Sequence, residues 1–244
     1  MLNTGTHLYL ITAKHVLFDN LNLRGNTATL KCPSRIISDP TITIYQVNLE
    51  ALIQAGEIFQ HPTKDIAGFI IGTINPNPAG VGYSINLLNG INLIQQGSTG
   101  VVSVSSTTGI KFINQVLISN DVYMYGYPSS LGIKQSPQFD YTRPLLRKGI
   151  IANLYIAQGT IILDCPVYYG NSGGPAVQVE FHGNHYSHHV IGVILQFIPY
   201  SENWINQSNN ITHTEISNSG YSVALAMDYV FEMLGIPINN PAVN

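Results

Sequence analysis

Apolar residues along this chain come in short runs bounded by Gly, Pro, Asn and Ser, which is the spacing of strands. Thr4-Gly5-Thr6 reads as a hairpin turn and calls for a strand before it, with 8–12 as the strand after it. Residues 19–26 read as a polar connection, and 27–32 and 41–49, β-branched and partly alternating, predict strands flanking a loop bounded by Pro33 and Pro40. The buried-looking run 66–71 predicts another strand, after which Asn75-Pro76-Asn77-Pro78 breaks the chain. Segments 85–94 and 101–105 read as one helical turn and a strand within a connection between two halves. Strands are expected over 121–128, 146–154 and 160–164, then a hairpin from 176–181 and 190–197, and a last strand over 220–226. Asp228 as N-cap, Gly235 and Pro237 predict a terminal helix over 228–234, followed by an Asn239-Asn240-Pro241 tail that is either disordered or a linker.

Composition narrows the class. The chain has 244 residues, 45% hydrophobic and only 9% charged, enough for a large core, and all-β folds reach this size as one unit of two packed barrels. A net charge of −3, with no long Lys/Arg run, gives no electrostatic case for nucleic acid or an anionic membrane as partner. Nothing approaches the ~18 consecutive apolar residues of a membrane span. Met1-Leu2-Asn3-Thr4-Gly5 lacks the basic and apolar regions of a signal peptide, so a cytoplasmic location is expected. Cys32 and Cys165 fall in different predicted barrels and read as free thiols, a single bridge being the alternative. Asn206-Gln207-Ser208 and Asn210-Ile211-Thr212 match the glycosylation pattern, which means little without a secretory signal.

Chemistry concentrates at Gly170-Asn171-Ser172-Gly173-Gly174-Pro175, where glycines around a serine bend the backbone enough to present a hydroxyl and N–H groups to one point. A serine hydroxyl is a poor nucleophile without a base and a group to orient that base. Thr12-Ala13-Lys14-His15-Val16 and His61-Pro62-Thr63-Lys64-Asp65-Ile66-Ala67 offer both. The order His15, Asp65, Ser172, each in its own motif, resembles the trypsin/chymotrypsin-like serine peptidases. Within that family the chain is most similar to the bacterial, high-temperature-requirement branch, over about residues 5–234.

The resemblance implies an all-β fold of two packed six-stranded antiparallel barrels: 1–115 carrying His15 and Asp65 with the connection, and 116–244 carrying Ser172 with a short C-terminal helix. In the family two strands precede the strand that delivers His15, so the resemblance implies either that Met1 is a late start or that the first barrel lacks N-terminal strands, which would leave an open edge in the wall that holds His15. The implied activity is a cofactor-free endopeptidase acting on a protein or peptide, with His15 as base, Asp65 orienting it and Ser172 as nucleophile. The N–H groups of Gly170 and Ser172 would meet the oxyanion. Asn171 stands where pancreatic members carry the aspartate of their activation switch, so no such switch is inferred. Matching pocket positions gives Pro166, Leu195, Gln196, Phe197 and Ser222 as substrate-binding residues. Proline at 166 argues against tryptic specificity, and Phe197 narrows the entrance toward small or medium apolar residues. Tyr168 and Tyr169 are expected to flank the cleft. The alternative is an inactive scaffold of the same fold that binds peptides or proteins. His182, His185, His188 and His189 crowd one hairpin tip, where His185 and His189 could hold zinc or copper, but strand spacing scatters them and no metal is expected.

Overall fold

The computed structural model of this chain is all-β with a short C-terminal helix, and describes residues 1–36, 38–77, 82–127, 138, 140, 143–206, 209 and 211–238. Pro78, Pro128, Gln207, Ser208, Asn210 and the tail from Asn239 lie outside the described residues. The first half runs β1 (Leu2–Asn3), β2 (His7–Ala13), α1 (Lys14–Leu17), β3 (Phe18–Asp19), β4 (Asn22–Leu23), β5 (Thr27–Pro33), β6 (Ile42–Asn48), α2 (Leu49–Gln54), β7 (Ile58–Gln60) and β8 (Ile66–Pro76). It continues through β9 (Tyr83–Leu87), β10 (Ile91–Gln95) and β11 (Val104–Ser105). The second half holds β12 (Asp121–Gly126), β13 (Leu145–Tyr155), β14 (Thr160–Asp164), β15 (Pro175–Phe181), β16 (Tyr186–Asn206), β17 (Ile211–Ala226) and α3 (Met227–Leu234).

The second half closes into a barrel in the order β12-β13-β14-β17-β16-β15. Period-two alternation turns Val122 and Met124, then Ile161 and Leu163, inward onto Ile151, Ala176, Ile191, Ile194 and Ala224. The core of the first half lies between two sheets, β11-β1-β2-β8-β7 with β9 also on β8, and β10-β6-β5. They face each other across Leu8, Tyr45, Val47, Phe69, Ile71 and Ile91, with Leu49 and Leu52 of α2 closing one end.

Strand β8 is buried along nearly its whole length, which is why it reads as an unbroken apolar run. Its Ala67, Phe69 and Ile71 face the first-half core. Ile66 and Ile70 point the other way, into a third cluster with Leu2, Tyr9, Phe112, Val193, Leu225, Val230 and Phe231. That cluster is the seam between the halves, and within it Phe112 meets Phe231 edge-on at 4.9 Å.

Several elements depart from the sequence reading. β2 is not beside an open edge: β1 pairs with it on one side, β8 on the other, and β11 covers β1 through Leu2↔Val104. Segments 85–94 and 101–105 contain no helical turn; they supply β9, β10 and β11, which extend the first-half sheets. Their shortness hid these strands, and Tyr83, Ile85, Leu87 and Ile91 on them complete the first-half core. Pro76 does not break the chain before the strand ends; β8 runs to it, paired with Tyr83 at its edge. The polar connection 19–26 carries the small β3–β4 ladder. Leu49 begins α2, with the Asn48 side chain accepting from the Ala51 N–H at 3.0 Å. Asp228 is not the N-cap of α3: it lies in the first turn and accepts the Ile113 N–H at 2.9 Å, tying the helix to the inter-half connection. Beyond the barrel β16 and β17 extend as a two-stranded ribbon paired from Pro199↔Asn218 to Asn206↔Ile211. Trp204 and Ile216 on it are exposed, so neither strand has the one-sided apolar pattern that predicts a buried strand. Cys32 and Cys165 are free thiols.

Truncating Phe231 tests the seam. Phe231→Ala should cost about 3–5 kcal/mol in urea unfolding, by lost burial and the cavity left at Phe112. Leu21→Ala, at a residue 87% exposed, should change stability by less than about 0.5 kcal/mol.

Candidate active site

The hydrogen bonds of β2 and β8 run Ala13↔Ile66 at their ends, so the residues just past Ala13 and just before Ile66 emerge side by side. There α1 starts, and Asp65 grips it three times. Its backbone carbonyl accepts the Lys14 N–H at 3.2 Å, Oδ1 accepts the His15 N–H at 2.9 Å, and Oδ2 lies 2.6 Å from His15 Nδ1. A carboxylate can only accept, so Nδ1 is the protonated nitrogen, and in the neutral ring Nε2 is left with its lone pair outward. Both side chains are partly open to solvent, 45% for His15 and 39% for Asp65, so the Nε2 edge is accessible.

The serine loop is fastened to β16. Gly173 N–H donates to the Ile194 carbonyl and Ile194 N–H returns to Gly174, both at 2.8 Å. Asn171 N–H bonds the Tyr168 carbonyl and Gly174 N–H the Asn171 carbonyl, each at 3.0 Å, giving two successive turns. Gly170 has φ +93° and Gly173 φ +85°, a left-handed backbone that residues with a Cβ adopt only under strain. A Cβ on Gly173 would stand 2.1 Å from Thr12 Oγ1, which shows how closely the serine loop meets the strand leading to His15. Among the described residues, the N–H groups of Gly170 and Ser172 have no acceptor within the protein, while the Gly170 carbonyl is held by the Tyr127 N–H at 3.3 Å.

His15 and Ser172 open onto one cleft of about 750 Å³, lined further by Arg24, Val167, Tyr168, Tyr169, Leu195, Gln196, Phe197 and Pro199. The Ser172 hydroxyl donates to the Leu195 carbonyl at 2.7 Å rather than to His15. Of the substrate residues expected from the sequence, Leu195, Gln196 and Phe197 line the cleft. Pro166 and Ser222 do not; Ser222 is fully buried opposite Leu163 and Phe197, behind the cleft wall. Tyr169 stands edge-on to Phe197 at 6.1 Å, and Arg147 lies 4.6 Å over the Tyr168 ring. Arg24, Val167 and Pro199 are lining residues that sequence reasoning missed. Arg24 sits in a polar connection with no motif, placed by its N–H on the Leu17 carbonyl and its Nε on Phe18. A second cavity of about 620 Å³ in the first half, near Tyr45 and Tyr83, has no imidazole, carboxylate or thiol in its lining. Burial pushes both thiols, Cys32 and Cys165, above their ordinary pKa, which makes them poor nucleophiles.

The histidine tip is a separate feature. His182 and His185 stack at 5.2 Å, while His188 and His189 sit in successive, oppositely facing positions of β16. Burial alone would raise the Glu180 carboxyl, but hydrogen bonds from Lys111 and Gln178 outweigh it and hold the pKa below its ordinary value. Among the described residues no three His, Cys, Asp or Glu side chains converge as a metal site there or elsewhere.

The meeting of Gly173 with Thr12 can be tested against an open glycine. Gly173→Ala should cost about 2–5 kcal/mol in chemical denaturation, combining the left-handed penalty with overpacking. Gly5→Ala, with φ +87° and nothing within 4 Å, should cost only about 1–2 kcal/mol.

No protein-family model and no curated protein matches the chain. Among solved structures it is similar to the HtrA-type protease AlgW with a tripeptide, at 15% identity and a TM-score of 0.44. It is also similar to a Ser-to-Ala variant of that protease with a tripeptide, at 14% and 0.45, and with a decapeptide, at 15% and 0.43. The matches cover 93% of this chain and 51%, 51% and 46% of those chains, so this chain spans about half their length. At that level of similarity the side-chain geometry, and not the likeness, is what bears on the chemistry.

Proposed function

We propose that the chain is a serine endopeptidase in which residues 1–115 supply the base and its orienter and residues 116–244 supply the nucleophile. The observation that carries this reading is the His15–Asp65 hydrogen bond opening onto the same cleft as Ser172. In the mechanism, the Ser172 hydroxyl leaves the Leu195 carbonyl by rotating about χ1 to a second staggered well. It exchanges one hydrogen bond for another, so the net cost is small beside a catalytic barrier. His15 Nε2 then takes the proton as Oγ attacks a peptide carbonyl, and returns it to the leaving amine. Asp65 holds Nδ1–H and stabilises the imidazolium formed in between. The N–H groups of Gly170 and Ser172, free of acceptors among the described residues, receive the developing oxyanion, each such donor being worth on the order of 3 kcal/mol.

The substrate is a protein or peptide laid along β16 at Leu195-Gln196-Phe197 as an added strand. Val167, Leu195 and Phe197 give the cleft an apolar wall, which favours a small or medium apolar residue before the scissile bond. Each methylene discriminates by only about 1–3 kcal/mol, so the preference is soft.

A second reading has its own observation. With its hydroxyl donated to Leu195 and not to His15, Ser172 rests in an unactivated arrangement, as an inactive peptide-binding scaffold would hold it. A fluorophosphonate probe separates the two. The enzyme reading expects covalent labelling of wild type that vanishes in Ser172→Ala and slows at least ~10³-fold in His15→Gln. Folded wild type that takes no label, yet binds peptides, is the scaffold. Gly170→Ala should slow labelling by about 10²–10³-fold if the free N–H groups form the oxyanion site.

A further inference from the structure

We propose that His61 is a positioning residue for Asp65, its ring held with Nδ1 unprotonated so that it fixes the turn that delivers Asp65 to His15. This rests on reading His15 and Asp65 as base and orienter. Of the eight histidines, His61 alone is buried, at 2% exposure. Every hydrogen-bonding group it has apart from Nε2 is spent on the peptide that carries the site. Its N–H donates to the Ile66 carbonyl at 3.1 Å, and its carbonyl accepts the Lys14 ammonium. Ring Nδ1 accepts two backbone N–H groups, from Thr63 at 3.2 Å and from Lys64 at 3.1 Å.

Two donors converging on one ring nitrogen require its lone pair, so the ring proton belongs on Nε2, which lies 3.4 Å from a Glu232 carboxylate oxygen on α3. A proton on Nδ1 would face two N–H groups and push the turn open. An apolar side chain at 61 would take the acceptor away from both part-buried N–H groups. Asp65 is the next residue after this turn, and its two oxygens must meet His15 N–H and Nδ1 together, so a small rotation of the turn loses both contacts.

The opposite side of the ring explains why the turn does not move. His61 meets Tyr229 of α3 edge-on at 5.3 Å. The Lys64 ammonium lies 4.5 Å over the same tyrosine and donates to the Gln158 carbonyl at 3.0 Å. A Cβ on Gly159 would come within 2.0 Å of the Tyr229 ring, so the ring is wedged between the turn and the second half. The charged and titratable groups around His61 are therefore Lys14, Lys64, Asp65, Tyr229 and Glu232. Through them α3 braces the acid that orients His15.

The test compares His61→Asn with His61→Gln in protein labelled with 15N-histidine. Asparagine places an oxygen where Nδ1 stands and can accept the same N–H groups; glutamine places its amide near Nε2 and cannot. Wild type should show a downfield His15 Nδ1 proton bound to Asp65. That proton should survive in His61→Asn and broaden or exchange at least ~10-fold faster in His61→Gln, as a local opening would make it. The same order should appear in fluorophosphonate labelling, within about threefold of wild type for Asn and down at least ~10-fold for Gln. A His15 proton as sharp in His61→Gln as in wild type overturns the proposal, as does a His61→Asn variant as impaired as Gln or unfolded. If wild type takes no label, the peptidase reading fails, while the histidine spectra still decide the role of His61.

Discussion

Strand β8 has almost no solvent face, and the site hangs from that constraint. Its Ala67, Phe69, Ile71 and Ile74 side chains fill the first-half core, while Ile66 and Ile70 fill the seam against Val193, Leu225 and Phe231. A strand fixed on both sides cannot slip by one residue without turning an entire apolar set into the wrong layer. Its pairing with β2 is therefore fixed, and with it the separation between the residue before Ile66 and the residues after Ala13. The His15–Asp65 hydrogen bond is the consequence at the strand ends of a register enforced in the core.

The Ser172 loop reaches the same cleft by a different route. It belongs to the second half, and it is held by main-chain hydrogen bonds to Ile194 and by close contact with Thr12, where only hydrogen on the Gly173 Cα fits. The seam brings the halves together, and the glycine contact sets how near they come. Within that loop the Gly170 carbonyl and the Asn171 N–H are satisfied by the protein, while among the described residues the Gly170 and Ser172 N–H groups and the buried Asn171 Oδ1 have no partner. Ser172 Oγ, donated to Leu195, is the one member of the constellation at rest elsewhere.

Support for the cleft also comes from distant parts of the chain. Asp228 of α3 ties to Ile113, Tyr229 wedges against Gly159 and the 61–65 turn, and Phe231 packs on Phe112. One short helix thus contacts the connection, the seam and the acid-bearing turn on three faces. Its length alone would not make it stable in water, so its stability derives from this packing.

The sequence by itself determined the strand-rich class, most strand positions in the second half, the Gly235 end of the last helix, and three local motifs around His15, Asp65 and Ser172. These are short-range properties: alternation within a strand, the φ that only glycine tolerates, the polar punctuation of turns. Only the tertiary structure decided the rest. Strands β9 to β11 are only two to five residues long, too short to be told locally from turns, and are paired to neighbouring sheets. The ribbon beyond Pro199 has no buried face to leave a pattern. Arg24 and Val167 line the cleft, and Ser222 lies outside it, because side-chain placement depends on which segments distant in sequence become neighbours. His61 stood inside a recognised motif, yet its role follows from a ring direction and a helix that sequence spacing does not encode.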